Sequence, residues 1–121
     1  MNRGVLLVED DLILSELLEM LLFAEGFDVE HAANGMEALE RLTNGSFDLI
    51  VLDLMMPVMD GLRFLEELAA LGVPAPPVLV FSASTTADVS EQARRAGASA
   101  VARKPIDQEE FVALVRSLSA S

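Results

Sequence analysis

Four carboxylates, a hydroxyl and an ammonium group stand where apolar runs of the chain end. Glu9, Asp10 and Asp11 follow Val5-Leu6-Leu7-Val8, and Asp53 follows Leu49-Ile50-Val51-Leu52. Ser82 follows Val78 to Phe81, and Lys104 comes three residues after Val101. Lys104 is the only lysine among 8 basic residues, the rest being arginine. Carboxylates gathered at one point repel each other by about 4 kcal/mol per pair at roughly 4 Å and an effective dielectric near 20. Either their pKa values rise or a divalent cation neutralises them. With no cysteine and a single histidine, His31, the ligands are oxygens. Such a set selects a hard ion, Mg²⁺ first and Mn²⁺ as its substitute. An ion so held bridges to phosphate oxygens, which a lysine charge and a serine hydroxyl also hold. A carboxylate can then serve as covalent acceptor of a phosphoryl group.

These residues are brought together only if the apolar runs are neighbouring strands. Gly4 to Val8 and Asp48 to Leu52 are continuous β-type runs, as strands buried on both faces require. Phe27 to His31 alternates as a half-covered strand would, which puts His31 at the periphery and in solvent. Pro77 to Phe81 and Ala98 to Val101 complete five strands. Helical patterns run to Glu25, from Asn34 to Leu42, Leu62 to Leu71, Thr86 to Ala96 and Gln108 to Ser119. Strict β/α alternation means parallel crossovers and a three-layer α/β sandwich. In such a sheet the site forms in loops at the carboxyl ends of the strands, near the point where strand order reverses.

Local punctuation agrees. Gly26, Gly45, Gly72 and Gly97 each fall just past a helical stretch, where a left-handed cap favours glycine. Asp107 and Glu110 form a capping-box pattern before the last helix, whose inward stripe is Phe111, Leu114, Val115 and Leu118. In the first helix Leu14, Leu17, Leu18 and Leu21 form the inward stripe. Leu12, Ile13, Met20 and Phe23 gather on a second face. Met55, Met56 and Met59 read as core and loop packing.

Composition narrows the function. The chain of 121 residues is of single-domain length. Its 20 acidic residues against 8 basic ones give a net charge of -12, a field that opposes direct nucleic-acid or anionic-membrane binding. The most apolar run, Leu12 to Ala24, carries Ser15, Glu16 and Glu19 and is too short for a membrane span. No export signal is evident, so a cytoplasmic location is expected.

Leu6-Leu7-Val8-Glu9-Asp10-Asp11, Asp48 to Pro57 with Asp60-Gly61, Ser82-Ala83 and Lys104-Pro105 together resemble the receiver domain of bacterial two-component response regulators. The resemblance covers the whole chain, 1–121, as a single receiver domain with no output domain. It implies a flavodoxin-like, doubly wound sheet of order 2-1-3-4-5 with five helices. It implies that Asp53 is the phosphoacceptor, with Ser82 as switch hydroxyl and Lys104 as its partner. Mg²⁺ would be held by Asp10 directly, by Glu9 through water, by Asp53 and by the Met55 backbone carbonyl. Pro57 and Gly61 would shape the loop after the third strand, Pro105 would follow a cis peptide bond, and Met55 and Ser84 would tune the phosphoryl lifetime. The donor would be a sensor histidine kinase or histidine phosphotransfer protein, docking on Leu12, Ile13, Met20 and Phe23. The signal would pass to a downstream protein or a missing output domain, with a homodimer as a further assembly. No catalysis is implied beyond the chain's own phosphorylation and dephosphorylation.

One position departs from the pattern. Receivers usually carry tyrosine or phenylalanine three residues before the lysine, and here the residue is Val101. Without a ring to swing, the readout is expected through the loop after strand four and the next helix, whose inward stripe is only Val89, Ala93 and Ala96. The departure also leaves an alternative, a pseudo-receiver that binds partners without phosphorylation. A flavodoxin or an aspartate-based phosphatase fits worse. The first strand is not followed by a Ser/Thr/Gly-rich phosphate cradle, the chain has no tryptophan or tyrosine for a flavin, and no second aspartate follows two residues after Asp53.

Overall fold

The computed structural model describes residues 3–56, 58–72, 74–83 and 86–119. Ten elements alternate along the chain: β1 (Arg3–Val8), α1 (Leu12–Ala24), β2 (Phe27–Ala32), α2 (Gly35–Asn44), β3 (Leu49–Asp53), α3 (Gly61–Ala70), β4 (Val78–Ser82), α4 (Ala87–Arg95), β5 (Ala100–Arg103) and α5 (Gln108–Ser119). The strands form one parallel sheet of order β2-β1-β3-β4-β5, the doubly wound arrangement read from the sequence.

Burial on both faces explains the continuous apolar runs. Alternate residues of the three central strands feed two separate cores. Leu6, Val8, Ile50, Leu52, Val78 and Val80 pack with Ala38 of α2, Phe64, Leu65 and Leu68 of α3, and Ala93 of α4. Val5, Leu7, Leu49, Val51, Leu79 and Phe81 pack with Leu18 and Leu22 of α1 and with Phe111 and Val115 of α5. β2 is an edge strand, buried only at its ends.

Side-chain caps stop each strand-to-helix turn from running on. Asp11 Oδ1 accepts from the amides of Ile13 and Leu14, Asp60 from Arg63 and Thr86 from Val89. Asn34 accepts from the Glu37 amide while Glu37 accepts in turn from the Ala33 amide. Asp107 Oδ1 accepts from the amides of Glu109 and Glu110.

Two local expectations are corrected. Gly26, Gly72 and Gly97 have φ of 90°, 67° and 119°, but Gly45 has φ -161°, an extended conformation with no need of glycine. In α1 the buried line is Ser15, Leu18 and Leu22, flanked by Leu14 and Leu21, and Leu17 is turned out at 38% exposure. Ser15 enters the buried line because its hydroxyl donates to the Leu12 carbonyl at 3.0 Å and needs no other partner.

The β3–α3 loop is tightly made. A Cβ on Gly61 would lie 2.7 Å from both the Asp53 carbonyl oxygen and the Leu54 Cα, so only glycine lets α3 begin against the strand end. Val58, 82% exposed, is the one non-glycine residue with positive φ among those described, at 67°. Pro57, expected to shape this loop, lies outside the described residues, and so does Ser84.

Candidate functional site

The carboxyl ends of β1, β3, β4 and β5 meet at one edge of the sheet. Asp53 is the last residue of β3 and is buried, 2% exposed. Glu9 follows β1 with no exposed surface, and Asp10 beside it is exposed. Ser82, also buried, ends β4. The Lys104 amide donates to the Ser82 carbonyl at 2.9 Å, which fixes the lysine's backbone beside that strand end. The Lys104–Pro105 peptide bond is cis.

Lys104 reaches across the site. Its ammonium donates to Asp53 Oδ2 at 3.0 Å and lies 3.4 Å from both Glu9 carboxylate oxygens. It also stands 5.1 Å from the centre of the Phe81 ring, a cation–π approach that steadies the stem. The other Asp53 oxygen, Oδ1, accepts from the Met55 amide at 3.0 Å. The Asp53 carboxylate is thus oriented by both oxygens. Glu9 Oε1 accepts from the Asp11 amide at 3.1 Å.

The electrostatics follow from this crowding. Burial, with Asp53's hydrogen bond and charge added, pushes the Glu9 pKa up to about 8 against the opposing pull of Lys104. For Lys104, burial works to lower the pKa, but the Asp53 contact and the charges of Asp53 and Glu9 outweigh it and the net shift is upward.

Glu9, Asp10 and Asp53 offer one carboxylate oxygen each, all within 4.8 Å of one another. Hard oxygen donors at this spacing fit a divalent ion such as Mg²⁺. Asp10, Met55 and Ser82 also line one open groove that runs past Leu62 to Val89 of α4.

The structure therefore gathers Glu9, Asp10, Asp53 and Lys104 at one point, with Ser82 and the Met55 backbone at its rim. Asp11 separates from the acidic cluster and caps α1. Met56 and Met59 pack in the core, but Met55 is 65% exposed and fills none of it, because its amide turns back toward Asp53. Val101 is half-buried in the α4-side core. Leu12, Ile13, Met20 and Phe23 are exposed by 67%, 83%, 69% and 77%. His31 was missed: it is half-buried, and its Nε2 lies 2.6 Å from the Glu9 carbonyl oxygen. The available signal was its place at the carboxyl end of the strand next to β1.

A doubly wound parallel sheet carrying a carboxylate cluster and one lysine at its carboxyl edge defines an α/β domain with an all-oxygen acidic centre. The family model described as the response regulator receiver domain matches residues 5–116. The chain belongs to this family of two-component response regulator receivers. It is 40% identical over 114 residues to a CpxR homolog, a transcriptional regulatory protein of Haemophilus influenzae, covering 94% of this chain and 49% of that one. It is 34% identical over 119 residues to the probable transcriptional regulator ycf29 of Porphyra purpurea, covering 98% and 57%. The chain thus spans about half the length of these curated relatives. Among solved structures, the receiver domain of the Francisella response regulator 1452 aligns with TM-score 0.91 and 28% identity over 98% of this chain and 97% of that one. The Vibrio cholerae chemotaxis protein CheY4 aligns with TM-score 0.91 and 27% identity over 98% and 99%. Among the described residues no helix is long and apolar enough to cross a membrane.

Proposed function

We propose that Asp53 is the phosphoacceptor of a Mg²⁺-dependent signalling switch, charged by the phosphohistidine of a sensor histidine kinase or histidine phosphotransfer protein. The observation that carries this reading is the Asp53 carboxylate held between the Lys104 ammonium and the Met55 amide, with Glu9 and Asp10 oxygens close by. An Asp53 oxygen attacks phosphorus, the P–N bond breaks, and its electron pair returns to the donor imidazole. Lys104, released from the carboxylate oxygen it holds, follows the charge onto the phosphoryl oxygens. The Ser82 hydroxyl, at the rim of the same site, donates to another of them. Glu9, Asp10, Asp53 and the Met55 carbonyl are the donors for the metal, which when bound offsets negative charge on the transferring group. Water later attacks phosphorus, releases inorganic phosphate and regenerates the carboxylate, so the chemistry proposed is the chain's own phosphorylation and dephosphorylation. Intact mass after incubation with acetyl phosphate and Mg²⁺ tests this. One added phosphoryl group is expected, absent in Asp53→Asn and in metal-free samples; no adduct in wild type overturns the reading.

The exposed apolar face of α1 supports docking of the helical donor protein. The output is a change of partner-binding surface, received by a downstream protein or by an output domain elsewhere in a longer chain. The absence of an aromatic ring at Val101 directs the readout to α4.

A further inference from the structure

We propose that His31 is a positioning residue for the acidic centre, fixing the peptide that carries Glu9 and Asp10. Regular β1–β2 pairing ends at Val8 and Ala32. One step further the Glu9 amide still donates to the Ala32 carbonyl, at 3.0 Å. The Glu9 carbonyl is instead met by a side chain, His31 Nε2 at 2.6 Å. A carbonyl oxygen can only accept, so the imidazole carries a proton on Nε2 and donates it. His31 therefore extends the ladder past the end of β1 by one bond.

The placement matters because the turn is short. Only Glu9, Asp10 and Asp11 separate β1 from α1. Besides the Lys104 ammonium, Glu9 is tied by its amide to Ala32, by its carbonyl to His31 and by Oε1 to the Asp11 amide at 3.1 Å. The plane of the Glu9–Asp10 peptide sets the direction in which both carboxylates leave the backbone. His31, the only histidine in the chain, holds that plane from the edge strand without touching the acceptor. The consequence for metal binding rests on the acceptor reading above; the consequence for the turn does not.

The test compares His31→Leu, which fills the space without a donor, with His31→Gln, whose amide nitrogen sits at a similar reach. In metal-free protein, amide hydrogen exchange at Glu9 and Asp11 is expected to quicken about fivefold to tenfold in His31→Leu, the worth of one hydrogen bond. Val5 and Leu7 should keep their rates, and His31→Gln should return Glu9 and Asp11 to within about twofold of wild type. Mg²⁺ titration of the same samples, read from the Asp10 amide shift, should show a severalfold higher half-saturating concentration for His31→Leu alone. Unchanged exchange in His31→Leu, equal acceleration at Val5 and Leu7, no rescue by glutamine, or an unchanged Mg²⁺ midpoint would each overturn the proposal. A wild-type protein that takes up no Mg²⁺ would refute the acceptor reading instead, and the exchange data would still decide the role of His31.

Discussion

Glu9 faces Lys104 with both carboxylate oxygens at 3.4 Å, yet the lysine comes nearer to Asp53, at 3.0 Å. One ammonium serves two buried carboxylates, and burial, with the hydrogen bond and charge of Asp53 added, raises the pKa of Glu9 against the pull of the lysine. The Glu9 pKa of about 8 lies above the ordinary 4.5. Between those values the folded state holds a proton that the unfolded chain has lost. Stability of the metal-free protein therefore falls as pH rises through that window. On the proposed reading, Mg²⁺ binding near pH 7 would displace this proton. Calorimetry in buffers of different ionisation enthalpy should record close to one proton released in wild type and none in Glu9→Gln.

Gly61 offers a sharper structural test. A methyl group there meets Asp53 and Leu54 backbone at 2.7 Å, which cannot swing aside as a flexible side chain would. Gly61→Ala is expected to cost about 2 kcal/mol in denaturant unfolding. It should also slow acetyl phosphate labelling of Asp53, because relief of the clash shifts the strand end that carries this carboxylate.

α4 buries only Ala93 completely, with Val89 and Ala96 partly covered beside Val101. So little apolar anchorage leaves it the cheapest helix to displace. Amide exchange across Ala87–Arg95 is expected to change severalfold on phosphorylation while α2 keeps its rates. Identical α4 exchange in both states would rule out this route.

On α1, Ile13 and Met20 point straight away from the core side occupied by Leu18 and Leu22. Glutamate at either position should change stability by no more than about 0.5 kcal/mol. Ile13→Glu and Met20→Glu should label normally with acetyl phosphate and lose most phosphotransfer from the histidine donor. Parallel loss of both rates would argue against docking through this face.

The strands were legible because burial on both faces writes itself as an unbroken apolar run, and the acidic residues and lysine stand at the ends of those runs. What was misread lay where that logic gives no phase. α1 has apolar residues on every side, so periodicity alone placed Leu17 inward, and the self-satisfied hydroxyl of Ser15 let a polar residue take the buried line. Met55 resembled its buried neighbours Met56 and Met59, but its backbone is committed to Asp53. His31 looked peripheral because its strand is an edge; the side-chain contact with the Glu9 carbonyl, one residue past β1, emerges only in three dimensions.

The β3–α3 loop holds a β-branched residue, Val58, at φ 67° with its side chain 82% in solvent. A left-handed L residue costs about 1–2 kcal/mol, and a residue this exposed gains little from burial in return. Glycine is indifferent to that region, though it gains freedom in the unfolded chain. Val58→Gly should therefore raise stability by about 1 kcal/mol, read as a higher denaturant midpoint with unchanged slope. Such a gain would mean that the domain keeps a reserve of stability that one substitution can release, stored in the segment that joins β3 to α3.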